Sequence, residues 1–251
     1  MEHDISPLVT VVTVTRNAEA SIERTIVSVC SQEYANIEYI VIDGNSRDNT
    51  FAIIRKYSDG ISQFISEEDS GIYDAMNKGI RHASPESRFI TFLNAGDVFS
   101  DSVVIRNIAA YAMLTNSHLY GNFTKDGHVV QSPEKINQYV LSTDMVCHQA
   151  IFFRTATHQK YFYDIRFKLC ADYKLLIDLI RAGEQFFKIN QPLVNFDTSG
   201  ITQRDRASLH AEKNRIRRMY TKIFLYYLLK RTVRPLRKYF YRGFAPGTNG
   251  I

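Results

Sequence analysis

Apolar positions along the chain come in two rhythms. Dense runs rich in β-branched residues, "LVTVVTVT" (8–15), "IEYIVID" (37–43), "ISQFIS" (61–66) and residues 88–93, read as buried strands. Between them, apolar residues recur at helical spacing. Ser21 is a plausible N-cap for a helix reaching roughly Gln32, and further helices are expected over "TFAIIRKYS" (50–58) and "IYDAMNKGIRHA" (72–83). Strands alternating with helices imply βαβ units and a mainly parallel sheet, covered by helices on both faces.

After Asp97 the rhythm changes. "HLYGNFTKDGHVV" predicts a hairpin turning at Asp126-Gly127, and "CHQAIFFRT" predicts another strand. "ADYKLLIDLIRAGE" predicts an amphipathic helix with Gly183 near its C-cap, and "FFKINQPLVNFD" more strand. No linker interrupts the chain before about residue 203. The expected division is one domain, 1–203, with halves 1–100 and 101–203, followed by a tail, 204–251.

A doubly covered parallel sheet binds ligands outside the carboxyl ends of its strands. Thr15 to Asn17, Asp43 to Ser46, Glu67 to Ser70 and Asn94 to Asp97 all fall at such ends, so four polar clusters should meet on one edge. Neither GxGxxG nor GxxxxGK[ST] occurs. Asp43 is placed to accept hydrogen bonds from a base or ribose, or simply forms a turn with Gly44. The corner "NAGD" lets a diphosphate approach the backbone while Asp97 holds a divalent cation, or it merely ends a strand.

The four segments "VVTVTRN", "YIVIDGNSRDNT", "SEEDSGIYDAMNKGI" and "ITFLNAGD", in that order, resemble inverting family-2 glycosyltransferases of the GT-A fold. The likeness is close over roughly 7–100, thins towards 205, and is strongest to bacterial enzymes of O-antigen, capsule or exopolysaccharide synthesis. It implies a Rossmann-like, mainly parallel central sheet flanked by helices, and transfer of a sugar from a nucleotide-sugar donor to a saccharide or lipid-linked saccharide. Thr15, Asn17, Asp43, Asn45, Asp69, Asn77 and the corner Asn94, Ala95 and Gly96 would then border the donor, with UDP the default nucleotide. Asp97 would hold Mg²⁺ or Mn²⁺, although Asn94 stands where the family places its first acid. Asp172 falls where the family keeps its catalytic base; on its own it is also an ordinary first-turn aspartate. His148 and Gln149 would lie near the acceptor, and Arg204 in a loop closing over the donor.

Composition adds a location. The chain has 251 residues, 45% hydrophobic and 23% charged, as a soluble globular protein should. Cys30, Cys147 and Cys170 lie far apart and match no metal-ligand spacing, which suggests reduced thiols in the cytoplasm. The acidic N-terminus has none of the regions of a signal peptide. Residues 204–242 carry 13 Lys/Arg against Asp205 and Glu212, so the tail is strongly basic although the whole chain is only +5. Ile216, Met219, Tyr220, Ile223, Phe224, Tyr227 and Leu228 give that tail an apolar stripe. Its longest apolar run, "IFLYYLL", is far below the roughly 20 residues a bilayer span needs. An amphipathic helix on the anionic cytoplasmic face of the inner membrane fits best; packing on the domain or against a second copy is the alternative. Nucleic acid is disfavoured, because no recognition fold accompanies the charge.

Two rival functions share the sheet. A sugar nucleotidyltransferase would carry a Gly-rich basic loop after the first strand, where "TRNAEAS" has no glycine. A non-catalytic nucleotide-binding protein on the membrane would bind without turnover.

Overall fold

The structure, a computed structural model, describes residues 6–137, 140–141, 146–198 and 205–220. Strands β1 (Val9–Thr15), β2 (Ile37–Asp43), β3 (Gln63–Ser66) and β4 (Phe89–Phe92) alternate with helices α1 (Ile22–Cys30), α2 (Thr50–Arg55) and α3 (Ile72–His82). The second half supplies β5 (Val98–Phe99), α4 (Val104–Ala112), β6 (His118–Lys125), β7 (His128–Val130), β8 (Ile151–Arg154), α5 (Thr155–His158), α6 (Ala171–Arg181) and β9 (Phe186–Phe196). Helix α7 (Arg206–Met219) closes the described chain.

One sheet runs through both halves in the order β3-β2-β1-β4-β8-β6-β9-β5, with β7 paired to β6 outside that path. The β1, β2, β3 and β4 pairings are parallel, as the alternating pattern requires. Beyond β4 the direction changes: β8 runs antiparallel to β4 and β6, whereas β6 and β9 run parallel. The sheet is thus mainly parallel through β1 to β4, as expected, with antiparallel pairings added in the second half. The two-residue β5 and the helices α4 and α5 lie outside the elements that the pattern predicts.

The alternation of side chains along each strand sorts the core into two layers. Val12, Val14, Ile40, Ile42, Ile90 and Phe92 face α3 and α6 on one side. Val9, Val11, Tyr39, Val41, Phe89 and Leu93 face α1 and α4 on the other. Helix α3 lies so close to β1 that a Cβ at Gly79 would stand 2.4 Å from Val12 Cγ1, so any larger residue would force a shift there. Ser21 does precede α1, but its side chain caps no amide. The Asp126-Gly127 hairpin turn forms as read, with both residues at positive φ. Gly183 likewise takes φ +87 just beyond the C-cap of α6.

Register brings the strand ends level. Thr15 pairs with Asp43, and Asp43 with Ser66. The Ala95 amide reaches Val14 O at 3.2 Å, which carries the chain after β4 to the same edge. Described tail residues pack on the domain: Ile216 and Tyr220 are buried, and the Tyr220 hydroxyl donates to Asp178 at 2.6 Å. Arg204 and the remainder of the predicted stripe, from Ile223 onwards, lie outside the described residues.

Candidate active site

Asp43 ends β2 fully buried and organises the loops around it. Its carboxylate accepts from the Ser46 amide at 3.1 Å, the Ser46 hydroxyl at 2.5 Å and the Ser66 hydroxyl at 2.7 Å. Asn17, at φ 49, ties the first loop to the second: its amide donates to Ser46 Oγ, and its side-chain oxygen accepts from the Arg47 amide. Asn45 stands exposed beside them at φ 57, a backbone that asparagine tolerates better than most residues. Thr15 Oγ1 is buried at this edge and has no partner. Asp69 arrives from the loop after β3; a Cβ on Gly44 would meet its Oδ2 at 2.1 Å. Thr15, Asn17, Asp43, Asn45 and Asp69 therefore gather at one place. Asn77 does not present its amide there. Both ends of that amide clamp the backbone of Tyr163, at 2.9 Å each.

The corner 94–97 lies at the next strand end. Gly96 takes φ +109, a region where a side chain is strained, and a Cβ there would stand 2.3 Å from Asp197 Oδ2. Thr25 of α1 pins the corner: its hydroxyl accepts from the Gly96 amide and donates to the Asp97 carbonyl, each at 2.8 Å. Asp97 is only 3% exposed. Burial pushes its carboxyl up to about 6, against the pull of bonds from the Asp197 amide (2.8 Å) and Gln149 Nε2 (3.1 Å) and of the nearby His148. Asn94 Oδ1 is buried without a partner. A carboxylate and an unpaired amide oxygen on one tight corner suit a hard cation that completes its shell with phosphate oxygens and water. Among the described residues no three His, Cys, Asp or Glu side chains gather around one point, so such an ion would depend on its ligand as much as on the protein.

Asp172 sits in the first turn of α6, 4% exposed. Burial raises its pKa, but the His148 and Tyr73 side chains outweigh that and hold the carboxyl below its usual range. Tyr73 OH donates to Oδ1 at 2.8 Å, and His148 Nδ1 stands 3.2 Å from Oδ2. His148 and Gln149 are consecutive in a short 3-10 turn that leads into β8. One therefore touches Asp172 while the other touches Asp97. Two carboxylates far apart in sequence are thus joined through a two-residue bridge.

Sequence reasoning missed Thr25, Tyr73, Arg24 and Asp197. Arg24 pairs with Asp197 beside Gly96. Asp197 ends the segment "FFKINQPLVNFD", whose pattern predicts only a strand. Tyr73 and Thr25 carry no local signal, because each contacts the site from a helix remote in sequence.

Comparison with known proteins adds to this geometry. The family model described as glycosyl transferase family 2 matches residues 10–171. A protein of Mycobacterium tuberculosis named as an uncharacterized glycosyltransferase is 34% identical over 207 residues, covering 78% of this chain and 77% of that one. The UDP-Glc:alpha-D-GlcNAc-diphosphoundecaprenol beta-1,3-glucosyltransferase WfgD of Escherichia coli is 34% identical over 117 residues, 46% of each chain. Among solved structures, S. aureus TarS in complex with UDP-GlcNAc superposes with TM-score 0.68 at 16% identity, covering 83% of this chain and 65% of that one. At that identity the likeness speaks for the fold alone.

Proposed function

This chain belongs to glycosyl transferase family 2 and is a glycosyltransferase, and from that premise we propose that it moves a sugar from a UDP-sugar to a hydroxyl of a saccharide or lipid-linked saccharide, with inversion, in the synthesis of a bacterial surface polysaccharide. The observation that carries the reading is the bridged pair of carboxylates, Asp97 and Asp172, at the edge where the strand ends converge. The E. coli relative, a UDP-Glc:alpha-D-GlcNAc-diphosphoundecaprenol glucosyltransferase, supports a uridine nucleotide and an acceptor on a lipid diphosphate.

In this reading Thr15, Asn17, Asp43, Asn45 and Asp69 frame the nucleoside. Asn94, Ala95 and Gly96 admit the diphosphate to the backbone. Asp97 and the Asn94 side-chain oxygen would hold Mg²⁺ or Mn²⁺, which when bound stabilises charge on the departing diphosphate. Asp172 is the base: it removes the proton of an acceptor hydroxyl as that oxygen attacks the anomeric carbon from the face opposite the leaving group. His148 orients that carboxylate, and Gln149 fixes Asp97 relative to it.

No helix among the described residues is long and apolar enough to cross a membrane. A lipid-linked acceptor would put the reaction at the bilayer surface, and the basic tail supports attachment to the anionic cytoplasmic face.

The test incubates the full chain with Mn²⁺, a synthetic GlcNAc-diphosphate lipid and, in turn, UDP-Glc, UDP-GlcNAc and a GDP-sugar. Release of UDP with a new glycosidic bond of inverted configuration, read by NMR, is expected. Retained configuration overturns inversion. Absence of release from every donor by a folded protein overturns the reading as a whole.

A further inference from the structure

Helix α6, which carries Asp172, has no side-chain cap of its own: the Cys170 thiol that precedes it bonds none of its first amides. Stabilisation comes from the last described helix. Glu212, on α7, accepts the Lys168 amide on Oε1 at 2.8 Å and the amides of Leu169 and Cys170 on Oε2 at 2.8 and 3.1 Å. A carboxylate bonded to three consecutive amides makes a stiff contact, since charged hydrogen bonds are roughly twice as strong as neutral ones. Its charge also lies at the positive end of α6.

The segment so held is the one that reaches the site. The Tyr73 hydroxyl is shared between the Leu169 carbonyl, at 3.1 Å, and Asp172 Oδ1, at 2.8 Å. The Lys168 ammonium bonds the Ser70 carbonyl at 2.8 Å, next to Asp69 on the donor side. A shift of residues 168–170 would therefore displace the tyrosine that holds one oxygen of Asp172 and the backbone that leads into its turn.

Resting on the reading of Asp172 as the base, we propose that Glu212 is a positioning residue for transfer: by clamping the backbone of 168–170 it fixes the Asp172 carboxylate against Tyr73. The first described helix of the basic tail is then part of the catalytic unit. Glu212 itself touches no substrate. Its effect travels through three amides and one tyrosine.

A tail helix that merely anchors the fold would behave differently, and Tyr220 allows the comparison. Its bond to Asp178 docks the same helix on α6, near the other end of α6 from the clamp. The experiment prepares Glu212→Gln, Glu212→Ala, Tyr220→Phe and Asp172→Asn in the full chain. It measures melting temperature, amide hydrogen exchange over 168–174, and kcat and donor KM for UDP release from UDP-Glc with the GlcNAc-diphosphate lipid. Glu212→Gln keeps one acceptor oxygen and the shape of the side chain. It is expected to lower kcat by about tenfold, the scale of one charged hydrogen bond, with KM changed by less than about twofold and faster exchange at 168–174. Glu212→Ala is expected to lose more. Tyr220→Phe should lower the melting temperature while kcat and exchange at 168–174 hold. Equal losses of kcat in Glu212→Gln and Tyr220→Phe, or unchanged exchange at 168–174 in Glu212→Gln, overturn the proposal. Normal transfer by Asp172→Asn removes the base reading and the clamp's purpose with it; an inactive Asp172→Asn beside a fully active Glu212→Gln overturns the clamp alone.

Discussion

His148 Nδ1 stands 3.2 Å from Asp172 Oδ2, while the adjacent residue, Gln149, donates to Asp97 at 3.1 Å. The spacing between the two acids is thus set by one short turn of backbone. Such rigidity suits a reaction in which a proton leaves one side of the sugar ring as a diphosphate leaves the other.

Asp172→Asn keeps the shape of the side chain and its bond from Tyr73 but removes the basic oxygen. Transfer is expected to fall by about 10²–10⁴-fold, the usual contribution of a general base, while affinity for UDP stays within about twofold. Turnover and calorimetric titration on the same preparation check both halves. Near-normal transfer would remove Asp172 from the mechanism.

Asp97 makes a different prediction, because in the proposed reading it serves binding as well as chemistry. Titration of the wild-type chain with UDP, GDP and TDP, each with and without Mn²⁺, should show one nucleotide bound more tightly with the cation. Asp97→Ala should abolish that difference and leave weak, cation-independent binding through the Asp43 side of the pocket. Identical titrations with and without Mn²⁺ in the wild type would count against a cation on this corner.

The difference between what the chain reveals locally and what it hides follows from where each contact is made. Parallel strands buried on both faces leave continuous apolar runs, so β1 to β4 were readable, and with them the strand-end residues Thr15, Asp43 and Asp97. Strand β5 is two residues long and is defined by its pairing with β9, which no local pattern records. Tyr73 and Glu212 act on Asp172 from helices far along the chain in either direction, as Thr25 acts on the corner at Asp97. The motif puts Asn77 beside the expected donor pocket, and its amide serves the backbone of Tyr163. A motif marks a neighbourhood; the direction of each side chain is decided by tertiary packing.

Gly79→Ala tests the close approach of α3 to β1. The added Cβ would lie 2.4 Å from Val12 Cγ1 in a fully buried layer, so side chain or helix must move. Overpacking of this kind costs about 1–3 kcal/mol and should outweigh the helix preference for alanine. Chemical denaturation checks it. The double variant Gly79→Ala with Val12→Ala should be less impaired than the two single losses added together, since the second change makes room for the first. Simple additivity would show that the contact is not what glycine relieves.

Two buried histidines predict how the fold responds to acid. His158 is enclosed by the rings of Phe92, Phe153 and Tyr163, and burial pushes its pKa down to about 4. His118 is pushed down to about 3, by burial first and then by the charges of His158 and Arg154, although Glu184 Oε2 lies 3.3 Å from its Nε2. Both are neutral in the folded chain and take up protons near their ordinary value, about 6.5, once unfolded. The stability they preserve is therefore complete above about pH 6.5 and drains away as pH falls through the folded values near 4 and 3. At pH 5 the loss should be about 2 kcal/mol per histidine relative to pH 7.5. Denaturant midpoints at the two pH values measure it. His158→Phe, which keeps an aromatic ring in the cage and removes the titrating nitrogen, should cut the pH 5 penalty by about half. An unchanged penalty in that variant would assign the acid sensitivity to other groups.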